Sequence, residues 1–384
     1  MSKRVSNELI VKDVVIVGAG PAGCSAALAL KGSGKKVLLV DKSVFPRNKT
    51  CGDSVPAHAL LGLENLVPGI YDEFLATVKS VSFRTSALVF PKGQRLFFSW
   101  PLPGYVTERR DFDGFLLKKV TETTDTQIIT GLKITNYTRV DDLILLSANN
   151  PDGTSGPEFL TRMVIAADGA PSLAARKLAG IVPDQGAYGQ AVRCYFNGVK
   201  GLDEGIELVF YHPDFFPGYF WLFPMADGRV NAGFGMPEIS RRKLKKSLAS
   251  LFSQFRDQHP VVREMLENAE PIGDLRGGMV PFAMKRQIWS GPGFMLTGDA
   301  ASMVDPVSGD GIMQAVRSGM LAGIAAGTGN YTLYDQQVEK FLWKRMESQR
   351  RAIRLMTGFP HLIRIAAWLG RYHWIRNRFQ RWIW

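Results

Sequence analysis

Apolar residues near the start of the chain come in two unbroken runs, 14–17 and 37–40, separated by a glycine-rich turn and an alanine- and leucine-rich stretch at 24–30. Short unbroken apolar runs suit strands buried on both faces, and the stretch between them suits a helix, so residues 13–41 are predicted as strand, turn, helix and strand. The pattern changes after residue 80. Between 81 and 100 apolar and polar positions alternate around Pro91-Lys92-Gly93, the pattern of a hairpin. A helix is expected from Arg109 to Val120, then strands near 126–136 and 143–148 joined at Asp141-Asp142. A buried strand at 163–168 enters a sharp turn before a helix from Ser172. Four strands, 189–196, 206–211, 219–224 and 229–236, form a second, mostly antiparallel set, with a basic helix over 240–256 on its surface. Residues 294–301 return to the apolar parallel pattern, and a helix runs from Ile312 to about Gly327.

These elements predict an α/β protein whose first unit is interrupted twice. A Rossmann-like domain takes residues 1–80, 107–182 and 288–335, and an inserted, mostly antiparallel sheet domain takes 81–106 and 183–287. A C-terminal helical segment, 336–384, follows.

The turn in the first unit reads Gly18-Ala19-Gly20-Pro21-Ala22-Gly23, and the second strand ends on Asp41, eighteen residues after Gly23. This is a dinucleotide-binding fingerprint. Gly18 permits the tight turn, Gly20 lets backbone approach a pyrophosphate, and Gly23 lets the helix pack close to the strand. Ala22 lies in the same turn, the helix N-terminus faces the phosphates, and Asp41 is placed to accept a ribose hydroxyl.

Charge changes the picture at one end only. The chain of 384 residues carries a formal net charge of +12, yet residues 341–384 hold ten Lys or Arg against one acid, Glu347, and five of the eight tryptophans. A charge so concentrated argues against nucleic-acid binding by the body of the protein. From Arg371 onward, Tyr372, Ile375, Phe379, Trp382 and Ile383 share one helical face ringed by Arg376, Arg378 and Arg381, which suits contact with an anionic membrane surface or packing on the protein itself. No run of about 18 uncharged apolar residues supports a spanning helix, and the first eleven residues lack the apolar core of a signal peptide. The three cysteines show no CxxC spacing and the five histidines no ligand spacing, so neither a disulfide framework nor a metal site is expected. The expected location is cytoplasmic, peripheral to a membrane.

Further motifs narrow the cofactor. Arg109-Arg110-Asp111-Phe112-Asp113, Asp168-Gly169, and Gly298-Asp299 followed by Pro306 and Gly309-Asp310-Gly311 occur in that order after the fingerprint. The set resembles the flavoprotein hydroxylase superfamily, which implies FAD. Asp299 would then accept hydrogen bonds from the ribityl chain. Backbone N–H groups of Gly311 and Ile312 would face the flavin pyrimidine edge, where negative charge develops on reduction. Lys49-Thr50-Cys51-Gly52 and Tyr219-Phe220-Trp221-Leu222-Phe223-Pro224 resemble two signatures of the geranylgeranyl reductase family, whose members use reduced FAD to saturate carbon–carbon double bonds of prenyl chains. That resemblance implies that Cys51, Gly52, Ser54 and Arg109 contact the flavin.

Tyr219, Trp221 and Phe223 share one face of a strand by its period of two. Taken alone they read as sheet core; beside a flavin they suit an apolar substrate. Cys51 is read either as a reactive thiol or as a small residue packed on the flavin, and Tyr219 or a bound water as proton donor. The expected activity is hydride transfer from reduced flavin to an isoprenoid double bond. No second glycine fingerprint is present, so NAD(P)H would visit transiently, as in the hydroxylases, or ferredoxin or another reductant would serve. A monooxygenase acting on an aromatic or polyene substrate is the first alternative, and a flavin-carrying interaction protein is another. Halogenation ranks lower, because Tyr219 and Phe223 replace residues of the halogenase motif.

Overall fold

The apolar runs near the N-terminus lie at the centre of a parallel sheet, and burial on both faces explains why they show no alternation. The computed structural model describes residues 9–182 and 184–359. In chain order its strands are β1 (Leu9–Val17), β2 (Val37–Asp41), β3 (Ser54–Pro56), β4 (Val81–Val89), β5 (Arg95–Val106), β6 (Gln127–Thr130), β7 (Lys133–Val140) and β8 (Leu143–Asn149). They continue as β9 (Ser155–Ala166), β10 (Tyr188–Asn197), β11 (Ile206–Phe210), β12 (Tyr219–Pro224), β13 (Val230–Pro237), β14 (Glu270–Pro281), β15 (Ser290–Gly291) and β16 (Phe294–Leu296).

The first sheet has the order β15-β16-β9-β1-β2-β6, with β8 attached to β9 and β7 to β8. Val15 is in register with Leu38 on one side and Val164 on the other, both in parallel. The helices Pro21–Ala29 and Ile312–Thr328 pack on each other beside this sheet, so the late helix returns to the first unit. The turn needs its glycines. Gly18 has φ +106, and a Cβ there would lie 2.2 Å from the Ala167 carbonyl oxygen, while one on Gly23 would lie 1.8 Å from the Gly18 oxygen.

The second sheet has the order β14-β10-β13-β12-β11-β4-β5-β3. The 81–106 hairpin joins it through β4, which runs parallel to β11. Leu208, Phe210, Phe220 and Leu222 face a core shared with Leu251, Phe252 and Phe255. By alternation Glu207, Val209, Tyr219, Trp221 and Phe223 take the opposite face.

Three expectations need correction. The strand expected over 126–136 is two strands, because Gly131 at φ +77 turns the chain between β6, which extends the parallel sheet, and β7, which leaves it. The basic helix is also two, Glu238–Leu244 and Leu248–Gln258, broken at Lys245 (φ 52) and restarted by the Ser247 cap. β14 was not expected: it is an exposed partner of β10 with few buried apolar positions, so it carries little strand pattern. At the C-terminal end, the helices Tyr331–Val338 and Lys344–Gly358 flank a π-helical turn, Glu339–Trp343. The amphipathic stretch from Arg371 lies outside the described residues. Among the described residues no helix is long and apolar enough to cross a membrane.

Candidate active site

The two sheets enclose one cavity of about 1360 Å³ that reaches from the glycine turn to the outer strands of the second sheet. Gly18, Gly20, Ala22 and Asp41 line one end. Cys51, Gly52, Ser54 and Arg109 line its middle with Asp299, Gly311 and Ile312, and Tyr219 and Trp221 lead into the other end. Gly23 is the exception among the expected site residues. It lies behind the turn, against the Gly18 carbonyl, and serves the packing of helix on strand.

At the first end and in the middle the polar groups are held by bonds within the protein. The buried Asp41 accepts the Ala19 N–H at 2.7 Å on Oδ2 and the Ser43 N–H at 2.8 Å on Oδ1, which fixes its carboxylate at the end of β2. Arg109 donates through Nε and Nη2 to Asp113, both at 2.8 Å, and Arg47 reaches the same carboxylate at 3.0 Å. Burial is the largest single influence and would lower the Arg109 pKa, but the charge and hydrogen bonds of Asp113, together with Cys51, outweigh it, so the guanidinium stays cationic. Lys49 Nζ meets Asp299 Oδ2 at 3.1 Å, tying the loop after β2 to the late Gly298–Ala301 turn. The Ile312 N–H departs from its expected role. It is donated to Asp310 Oδ1 at 3.0 Å, because that carboxylate folds back over the N-terminus of its own helix.

A buried polar seam joins this end to the aromatic strand. Asn231 donates through Nδ2 to the Cys51 carbonyl at 2.9 Å and to Asp53 Oδ2 at 2.8 Å, and its Oδ1 accepts the Trp221 indole N–H at 3.0 Å. Asp53 also accepts the Tyr195 hydroxyl at 2.7 Å. Burial pushes its pKa up to about 6 against the hydrogen bonds and nearby Arg193 that favour its charge. Gly52 lies flat on the aromatic strip, where a Cβ would sit 3.3 Å from the Phe223 ring. Burial pushes the Cys51 thiol up further than the Arg109 cation brings it down, which disfavours a thiolate.

The second end is apolar. Trp221 stacks with Phe223 at 6.2 Å between centroids and meets Tyr219 at 6.0 Å. Leu88, Phe90, Leu96, Phe98, Trp100 and Val209 continue the wall, and Tyr219 donates its hydroxyl to the Ser308 carbonyl at 3.1 Å. Sequence reasoning missed Arg47, Asp53, Tyr195, Asn231 and Glu207. Asn231 and Glu207 carried a faint signal as lone polar residues inside apolar strands. It also set the C-terminal helices apart from the cavity, although Arg345, Ile353 and Met356 line it.

The fit to a dinucleotide is physical. The cavity exceeds the roughly 300–1,000 Å³ of a pocket for one small ligand, and bare backbone at Gly18 and Gly20 adjoins an oriented carboxylate and a helix N-terminus. Residues 13–111 match the family model described as FAD dependent oxidoreductase. The chain is 33% identical to digeranylgeranylglycerophospholipid reductase 2 of Methanopyrus kandleri, over 82% of this chain and 76% of that protein. The chain belongs to the geranylgeranyl reductase family of FAD-dependent oxidoreductases. Within reach of this family reading is also menaquinone reductase of Mycobacterium tuberculosis, 31% identical over 91% of this chain and 85% of the relative. A geranylgeranyl bacteriochlorophyll reductase-like protein from Thermoplasma acidophilum shares the fold, with TM-score 0.78 and 21% identity over 90% of this chain and 87% of that one. A flavin-dependent brominase also shares it, with TM-score 0.76 and 20% identity over 97% and 93%. At these identities the two structures speak for the fold alone. The protein is an FAD-dependent oxidoreductase.

Proposed function

We propose that the protein reduces carbon–carbon double bonds of an isoprenoid chain carried by a lipid or quinone. The observation that carries this reading is the continuity of the cavity, from the glycine turn through the Cys51 loop to a wall of aromatic and aliphatic side chains. Such a wall binds a flat, apolar chain by burial and excludes water from the reacting bond. Relatives that act on lipid and quinone substrates by name support the same class.

FAD, when bound, supplies hydride chemistry. The chain's own residues hold and aim it. In this reading Gly18, Gly20 and the helix N-terminus take the pyrophosphate, Asp41 a ribose hydroxyl, and Asp299 the ribityl chain. Gly52, Ser54 and Arg109 flank the isoalloxazine, with the Gly311 N–H near its pyrimidine edge. Cys51 packs on the flavin as a neutral thiol, and Trp221, held by Asn231, presents its face to the substrate with Tyr219 and Phe223. The electrons come from NAD(P)H or another transient donor. The basic, tryptophan-rich C-terminal stretch supports a place at an anionic membrane surface, where such substrates reside.

Anaerobic mixing of the reduced protein with geranylgeranylated lipids and prenylated quinones tests the reading. The expected result is flavin reoxidation with two hydrogens added per bond saturated. Reoxidation that requires oxygen and yields a hydroxylated product transfers the assignment to a monooxygenase, and no reoxidation across several chain types overturns it.

A further inference from the structure

We infer that Glu207 is the proton donor of this reduction, because this buried acid lines the cavity between the Cys51 loop and the apolar wall and one of its carboxyl oxygens, Oε1, has no hydrogen-bond partner. The inference rests on the double-bond reductase reading above. Glu207 is 6% exposed and is an acid among the apolar residues of β11. It lies one step beyond the Leu208–Leu222 pair, beside Phe223 of the aromatic strip, and opposite Ser86 of β4.

The hydrogen bonds around it engage its two carboxyl oxygens unequally. Trp100 Nε1 can only donate, and it donates to Ser86 Oγ at 2.8 Å. Ser86 Oγ in turn donates to Glu207 Oε2, 3.4 Å away. Oε2 therefore has a partner in the Ser86 hydroxyl, and Oε1 has none. Burial pushes the Glu207 pKa up to about 8, with the Ser54 and Ser86 hydroxyls pulling it back. At neutral pH the side chain is an acid with a proton to give.

Other titratable groups line the same cavity: Tyr211 just after β11, Tyr219 on β12, Arg193 on β10, and Cys51 and Lys49 in the loop after β2. Tyr219 is the weaker candidate. Its hydroxyl is committed to the Ser308 carbonyl, and burial raises its pKa. In the step, hydride brings two electrons from the reduced flavin to one alkene carbon and forms the first C–H bond. The π bond breaks, and its electron pair forms the second C–H bond with the proton of the Glu207 carboxyl group. Glu207 is left as a carboxylate and the flavin oxidised; solvent returns the proton and a nicotinamide or ferredoxin-type donor the electrons.

The test compares the FAD-loaded wild type with Glu207→Gln and Ser86→Ala. Infrared titration should show a protonated carboxyl that persists to near pH 8 in the wild type and is missing from E207Q. Dithionite should reduce the flavin of E207Q at the wild-type rate, while anaerobic reoxidation by the isoprenoid slows about 100-fold or more. Wild-type reoxidation should fall as pH rises through about 8, since only the protonated form is active, and this limb should vanish in E207Q. Ser86→Ala removes a hydroxyl that favours the carboxylate, so the limb should move to higher pH; this arm decides the matter if E207Q does not fold. An E207Q protein with wild-type rate and pH limb, or an S86A limb that stays in place, overturns the donor. A wild type that reduces no isoprenoid sinks the reductase reading and the donor with it, whereas a working wild type beside an equally active E207Q sinks the donor alone.

Discussion

The two ends of the cavity are built on opposite principles. At the cofactor end, backbone and paired charges do the positioning: Asp41 is pinned by two N–H groups, and Asp113 gathers Arg47 and Arg109. At the other end, side chains at alternate positions of β4, β5, β11 and β12 form an apolar wall. The contrast teaches where rigidity resides. The cofactor end is held by directional bonds whose loss is costly, and the wall by apolar contacts that tolerate exchange of similar shapes. Asp113→Ala should therefore have the largest effect. It leaves two guanidinium groups facing each other, one of them buried, and should cost about 3–5 kcal/mol of unfolding free energy. Denaturant unfolding of the protein without FAD measures it, and a loss below about 1 kcal/mol would show that the network is not a scaffold.

Asn231 is where the contrast can be broken, because it bonds both to the Cys51 loop and to Trp221. Asn231→Leu keeps the branched shape but leaves the Trp221 indole N–H, the Cys51 carbonyl and Asp53 short of partners. It should cost about 2–3 kcal/mol. FAD affinity and substrate KM should move together. A change at one end alone would mean that the ends are independent.

The same contrast explains what the sequence revealed. The turn 18–23, Asp41, Arg109, Asp299 and residues 219–224 lie in short contiguous patterns, and of the site residues expected there Gly18, Gly20, Ala22, Asp41, Arg109, Asp299, Tyr219 and Trp221 line the cavity while Gly23 does not. The partnership of Trp221 with Asn231 is a lateral one between β12 and β13, and the meeting of Asn231 with Asp53 spans 178 positions. Such pairings have no local pattern. β14 was invisible for a related reason: an exposed edge strand that buries little has no apolar periodicity to read. Ile312 shows the limit inside a motif, since its N–H was predicted from the helix start and its capture by Asp310 is a matter of side-chain rotation.

A polar substitution in the wall sharpens the contrast from the other side. Leu88→Asn places an amide against the substrate chain and should raise KM about tenfold, the scale of a disturbed apolar pocket. FAD affinity and flavin reduction should be unchanged. A fall in FAD affinity of similar size would contradict the division of labour along the cavity.

The smallest effect belongs to Lys49. Its pair with Asp299 joins chain segments 250 positions apart, but the lysine side chain is 40% exposed and the aspartate 21%. An ion pair so well solvated contributes less than about 1 kcal/mol and is screened by salt. Lys49→Met should leave the unfolding free energy nearly unchanged. Its effect should appear in FAD release, since both residues line the cofactor end and the pair ties the loop across it. The release rate should rise by no more than about fivefold, which is what 1 kcal/mol allows. In the wild type, raising salt should speed release toward the rate of the variant, and the variant itself should respond little. If Lys49→Met instead releases FAD a hundredfold faster, the lysine contacts the cofactor directly, and the cofactor end depends on mobile surface charge as well as on its buried bonds.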